Sequence, residues 1–210
     1  MLAYTSHLDL MRAWERSLRR AGVPLAYSQG FNPRPKLQLA AALPLGHTSE
    51  AELLDVRLER PMSVRDFGRA LVPVMPAGLM VSQVRQIMIK EPALQTQIVS
   101  AEYRVMVEWS EPAEQVEARI EQMLAETELL QERRGRQYDL RPLVERLWLE
   151  QADGSEVELG MQLAARAGAT ARPEAVQSAL GMEGTFASYH RRRLMTNDDD
   201  GRLTKLKDSV

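Results

Sequence analysis

The sequence predicts an α+β fold: tandem ferredoxin-like (βαββαβ) domains with antiparallel sheets. Three observations carry this. The 210 residues suit one large domain or two small ones. Helical and alternating segments follow one another in similar order in both halves, and the order breaks near residues 90–98. The expected boundaries are 1–92 and 98–190, with 191–210 a flexible tail.

In the first half, a short β segment at Tyr4 precedes a helix from Ser6 to Gly22. Ser6 caps it, Asp9 suits its first turn, and Gly22 closes it. Leu10, Trp14 and Leu18 recur every four residues as its apolar face. Val23–Ser28 is β-rich and runs into a loop at Gly30–Lys36, after which Leu37–Leu45 is extended. Leu54, Val56 and Leu58 alternate with Asp55 and Arg57, the period of a half-buried strand. A helix capped by Ser63 runs through Leu71 to the break at Pro73 and Pro76, and Leu79–Ile89 reads as a strand.

In the second half, Tyr103, Val105, Val107 and Trp109 share one face of a strand over Ala101–Trp109. Glu114–Glu126 is a helix with Val116, Ile120, Met123 and Leu124 inward. Leu129–Arg134, Leu143–Glu150 and Glu156–Ala165 are strands, the last two joined by the Asp153-Gly154 turn signal. Pro173–Leu180 is a short helix, and Phe186–Tyr189 closes the sheet. Methionines such as Met80, Met106 and Met161 read as core filling.

Composition narrows the chemistry. The chain has no cysteine, which excludes disulfides, thiolate metal sites and any iron–sulfur cluster held by this chain alone. No metal-ligand spacing and no Walker A, GxGxxG or GxSxG pattern occurs, so no bound metal or cofactor is expected. The longest apolar run, Leu39–Leu45, is far short of the roughly 20 residues of a membrane helix. No basic, apolar leader opens the chain, and a cytoplasmic protein is expected.

The net charge of -2 hides an asymmetry. Residues 1–36 carry +4, whereas residues 101–150 carry -5. Arg12, Arg16, Arg19 and Arg20 form one stripe of the first helix, either a solvated face or an anion-binding surface. The loop Ser28-Gln-Gly-Phe-Asn-Pro-Arg-Pro-Lys36 is the most informative segment. A glycine suited to positive φ, an Asn32-Pro33 turn signal and two prolines around Arg34 make it stiff. Either Phe31 is buried in a rigid connector, or it stacks on a base while Arg34 and Lys36 meet phosphate. The candidate binding residues are therefore Arg12, Arg16, Phe31, Asn32, Arg34 and Lys36. His7, at the first helix's start, is the one candidate acid/base group, against a merely structural first-turn role. His47 reads as a surface-loop residue, and His190 as part either of a basic rim or of a merely solvated charge run before Arg191-Arg192-Arg193.

Ser6 to Lys36 as a whole, from Ser-His-Leu-Asp to Gly-Phe-Asn-Pro-Arg-Pro-Lys, resembles the opening motif of the radical-SAM-associated (radical-SAM-linked) domain family of unknown function. Leu43-Pro-Leu-Gly46, Glu52–Leu58, Asp139-Leu-Arg-Pro142 and Arg172-Pro173 extend the likeness to about residue 190. Family members carry a fuller strand before Ser6, where this chain has Met1–Thr5. The resemblance implies a bacterial protein that works with a radical SAM protein. That partner would carry the iron–sulfur cluster, S-adenosylmethionine and cobalamin. The resulting expectation is a non-catalytic accessory module that binds RNA or another anionic substrate. The alternatives are a metal-independent endoribonuclease-like enzyme using His7, similar in architecture to CRISPR repeat-processing endoribonucleases, and a purely protein-binding scaffold.

Overall fold

A computed structural model of the chain describes residues 3–196; the tail charges at Asp198–Asp200, Lys205 and Lys207 lie outside them. The described residues form two compact units, 3–46 with 53–95 and 47–52 with 96–196.

The first unit opens with α1 (His7–Arg20). Ser6 caps it, its Oγ accepting from the Asp9 N–H and donating to the Asp9 carboxylate. The chain reverses at Gly22, whose φ of 68° needs no Cβ. Instead of a full strand, residues 23–27 make isolated bridges, Leu25 with Leu58 and Tyr27 with Pro35. β1 (Leu37–Leu39) follows. Next come β2 (Thr48–Ser49), a strand of the second unit, and β3 (Leu54–Val56), which pairs antiparallel with β1. α2 (Val64–Leu71) is capped by Ser63, and the four-residue α3 (Leu94–Gln97) ends the stretch. Leu18, Val23, Leu25 and Leu71 form the core, flanked by Trp14, Val56, Phe67 and Val81.

The expected tandem pair is corrected here, because the first unit has only the two-stranded β1–β3 sheet. Tyr4 lies in a turn, and the strand expected over Leu79–Ile89 is irregular. Strands of three residues offer a short edge for pairing. Val81 turns inward, while Met80, expected in the core, is 91 % exposed, and Met88 and Ile89 also face solvent.

The second unit holds β4 (Ile98–Glu108), α4 (Ala113–Ala125), β5 (Leu130–Arg133), β6 (Arg136–Asp139), β7 (Val144–Ala152) and β8 (Glu156–Arg166). β9 (Ala169–Thr170), α5 (Pro173–Ala179) and β10 (Ala187–Thr196) complete it. Its sheet order is β2-β10-β4-β8-β7, antiparallel except for the parallel β2–β10 pair. The succession β4-α4-β7-β8-α5-β10 is therefore one βαββαβ unit, with β2 added at its edge and the β5–β6 hairpin inserted after α4. Val105, Val107, Leu159, Met161 and Leu163 fill the core with Val116, Ile120 and Val176 from the helices.

A second correction concerns the tail. Arg191–Thr196 continue β10 against β4 rather than hanging free. Strand pairing takes up their backbone groups, and Leu194 and Met195 are buried.

The hairpin turns on Arg134 and Gly135, with φ of 55° and 74°, between the paired Arg133 and Arg136. Such two-residue turns favour Asn-Gly, because positive φ strains other side chains. Arg134→Gly is expected to raise stability by about 0.5–1 kcal/mol, measurable as a higher urea midpoint. A lowered midpoint would show that the arginine side chain holds the turn.

Candidate functional site

The Ser28–Lys36 loop is a closed tip. The Ser28 N–H donates to the Arg34 carbonyl (2.8 Å), and the Arg34 N–H donates to Ser28 Oγ (3.0 Å). Below it the Lys36 N–H donates to the Ala26 carbonyl (2.8 Å), and Gly30 takes a φ of 128°. These bonds clamp both ends of the turn, while the prolines restrict its return. Phe31 is 100 % exposed, so it is no part of a core. Asn32, Arg34 and Lys36 are exposed beside it. Among the described residues, the side chains of Arg34 and Lys36 make no hydrogen bond or ion pair. An unburied aromatic beside two uncommitted cations presents a face for stacking and charges for phosphate.

The α1 candidates are placed differently. Arg12 donates to Asp9 at 3.0 Å and is therefore engaged. The Ser6 hydrogen bond, then Arg12, holds the Asp9 carboxyl below its ordinary value. Arg16 is exposed, and Arg19 pairs with Glu15 at 3.6 Å. The loop thus gathers Phe31, Asn32, Arg34 and Lys36, and no hydrogen bond or ion pair ties Arg12 or Arg16 to it. His7 is exposed at the helix start, and the described residues supply no hydrogen-bonded partner to make it half of an acid/base pair.

The second unit contains a polar cluster that sequence reading missed. His47, expected at the surface, is 2 % exposed. The β2–β10 pairing draws the segment onto the sheet edge, and His47 stacks on Tyr189 (4.8 Å between centroids) and meets Tyr103 edge-on. Its Nε2 lies 2.9 Å from Glu174 Oε1. Among the described residues, His47 Nδ1 and Glu174 Oε2 are buried without a hydrogen-bond partner. The Tyr189 hydroxyl donates to Gln177 Oε1, and burial, with the nearby Glu174 charge, pushes its pKa up to about 12. His190 likewise belongs to the sheet, its Nδ1 lying 2.7 Å from Thr48 Oγ1. Arg191, expected in the tail, is buried and forms a two-pronged pair with Glu52 at 2.8 Å on each prong.

Burial, the largest single influence, opposes ionisation of Glu174, but the His47 hydrogen bond, a backbone hydrogen bond and the Arg172 charge together outweigh it and hold the carboxyl below its ordinary 4.5. A carboxyl depressed in the folded state gives stability that is complete above its unfolded value and is lost as pH falls through the folded one. Glu174→Gln is therefore expected to flatten part of the stability loss below about pH 4.5. Urea midpoints across that acid range read the effect; an unchanged acid limb would contradict the pairing.

No helix of the described residues is long and apolar enough to cross a membrane. Among the solved structures, the chain is similar to the crystal structure of a Cbf5-Nop10-Gar1 complex. Identity is 14 %, the match covers 92 % of this chain and 47 % of that chain, and the TM-score is 0.50. The archaeal box H/ACA sRNP Nop10-Cbf5 complex matches at 15 % identity over 92 % of this chain and 46 % of that one, with a TM-score of 0.49. An H/ACA RNP bound to a substrate RNA containing 2'-deoxyuridine matches at 15 %, over 92 % and 45 %, with a TM-score of 0.46. Identities this low speak to fold alone, and the chain spans about half the length of those it matches. No curated protein matches the chain. A family model does match, over residues 1–173. That span takes in α1, the clamped loop and buried His47, and the chain belongs to the family described as uncharacterized protein conserved in bacteria (DUF2344).

Proposed function

We propose that this protein is a non-catalytic accessory module that binds single-stranded RNA through the Ser28–Lys36 loop. Phe31 stacks on one base, and Arg34 and Lys36 take the neighbouring phosphates, with Asn32 beside them. Arg12 and Arg16 on α1 supply a weaker field, since Arg12 is already paired with Asp9. The observation that carries this reading is the complete exposure of Phe31 on a hydrogen-bonded turn. Stacking on a base would bury the ring that the turn leaves open to water. The resemblance of residues 6–36 to the radical-SAM-linked family supports a cytoplasmic radical SAM protein as partner, bringing the cluster, S-adenosylmethionine and cobalamin.

Stacking on an aromatic contributes about 1–3 kcal/mol per base. Phe31→Ala is therefore expected to weaken RNA binding about fivefold or more, with an unchanged melting temperature because Phe31 buries nothing. Equal affinity in fluorescence anisotropy would remove the stacking role. Co-purification from a strain expressing a tagged radical SAM protein tests the partner, and absence of this chain from the eluate would reject it.

A further inference from the structure

We propose that the β5–β6 hairpin is a second RNA-binding element, with Arg133, Arg134 and Arg136 on consecutive phosphates and one base entering the cleft at its foot. The proposal rests on the reading that this chain binds RNA. The net charge of residues 101–150 conceals this tip, because the acidic residues around it outnumber it.

Four observations converge. First, the hairpin is a two-stranded sheet of its own, outside the main sheet of its unit. Second, three of its four tip residues are exposed arginines, and among the described residues their side chains make no hydrogen bond or ion pair. Third, Arg134 is the one non-glycine with positive φ among the described residues. The turn therefore carries a strained, charged side chain where Asn or Gly would fit without strain. Fourth, a cleft of about 330 Å³ opens at the hairpin's foot, lined by Gln131, Arg133 and Tyr138 on the hairpin and by Arg172 and Glu174 opposite.

The charge layout assigns the parts. Glu132 and Glu174 balance Arg133 and Arg172 around the cleft, so it does not favour a bare phosphate. Its Tyr138 ring and Gln131 amide suit a base instead, through stacking and an amide hydrogen bond. The volume lies at the small end of the range for ligand sites, about 300–1,000 Å³, fitting one nucleotide rather than a duplex. The phosphates belong on the tip, where the three guanidinium groups make no hydrogen bond or ion pair with the described residues.

The test uses the full chain and a fluorescent single-stranded RNA of mixed sequence, titrated at several salt concentrations. Each phosphate contact on a single strand contributes about 0.7 to the slope of log affinity against log salt. Arg133→Ala, Arg134→Ala and Arg136→Ala combined should lower affinity at least tenfold and the slope by about 2. The triple lysine variant should keep the slope. Arg134→Gly, with its urea midpoint measured alongside to separate lost binding from lost folding, should lower the slope by about 0.7. If the triple alanine variant binds like the wild type while Phe31→Ala does not, the hairpin proposal is overturned and the loop reading stands. Loss in the triple variant with none in Phe31→Ala supports the hairpin and overturns the loop. A wild type without salt-sensitive RNA binding overturns both.

Discussion

Glu52→Ala is expected to destabilise the second unit by about 3 kcal/mol. Arg191 is 2 % exposed at its side chain, and Glu52 holds it through two hydrogen bonds. Removing the carboxylate takes the two-pronged acceptor away from a buried guanidinium, which costs far more than the intact pair contributes. The loss stays at the low end for a buried pair because Glu52 itself retains 23 % exposure. Arg191 also counters the burial that pushes the Tyr103 phenol up, so the loss should spread into the cluster around His47. Chemical denaturation followed at Trp109 and Trp148, both in this unit, reads the effect. Adding Arg191→Met should recover much of the loss, because an apolar side chain needs no partner there. A Glu52→Ala chain as stable as the wild type would contradict the buried pair.

Gly160→Ala is expected to cost about 2–3 kcal/mol by overpacking. Gly160 on β8 lies opposite Trp148 on β7, and the indole covers its α-carbon so closely that a Cβ would sit 2.0 Å from the ring. The ring is held there by a hydrogen bond to Glu150 (3.2 Å) and by the Arg146 guanidinium 5.1 Å over it. An added methyl must push the indole off the strand and break both contacts. In a Trp148→Ala background the same substitution should be close to neutral, and a double-mutant cycle isolates that coupling. A small effect in the wild-type background would show that the tryptophan does not rest on the glycine.

Much of the second unit was legible because its strands alternate. Tyr103, Val105 and Val107 are all buried, as their period implies. The loop was legible in its local chemistry, since Gly30 and the two prolines restrict backbone angles whatever surrounds them; whether Phe31 was covered could not be read from that chemistry. The edge strand β2 was not legible: two residues have no period, and His47 is buried by tyrosines 56 and 142 positions away along the chain. Arg191-Arg192-Arg193 read as a tail because the carboxylate that makes burial tolerable, Glu52, lies 139 positions earlier. β6 was missed because Arg136-Gln-Tyr-Asp139 buries little. In the first unit, Leu79–Ile89 carried strand-like residues but met no long edge to pair with, so local propensity did not decide its conformation.

The central claim is that the loop binds single-stranded RNA by stacking and phosphate contact. The most direct measurement is the salt dependence of RNA affinity for the wild type and for Arg34→Ala combined with Lys36→Ala. The wild type should lose affinity steeply as salt rises. The variant should bind more weakly with a slope smaller by about 1.4, two contacts at about 0.7 each. Identical slopes for the two proteins, or a wild type without salt-sensitive affinity, would contradict the claim.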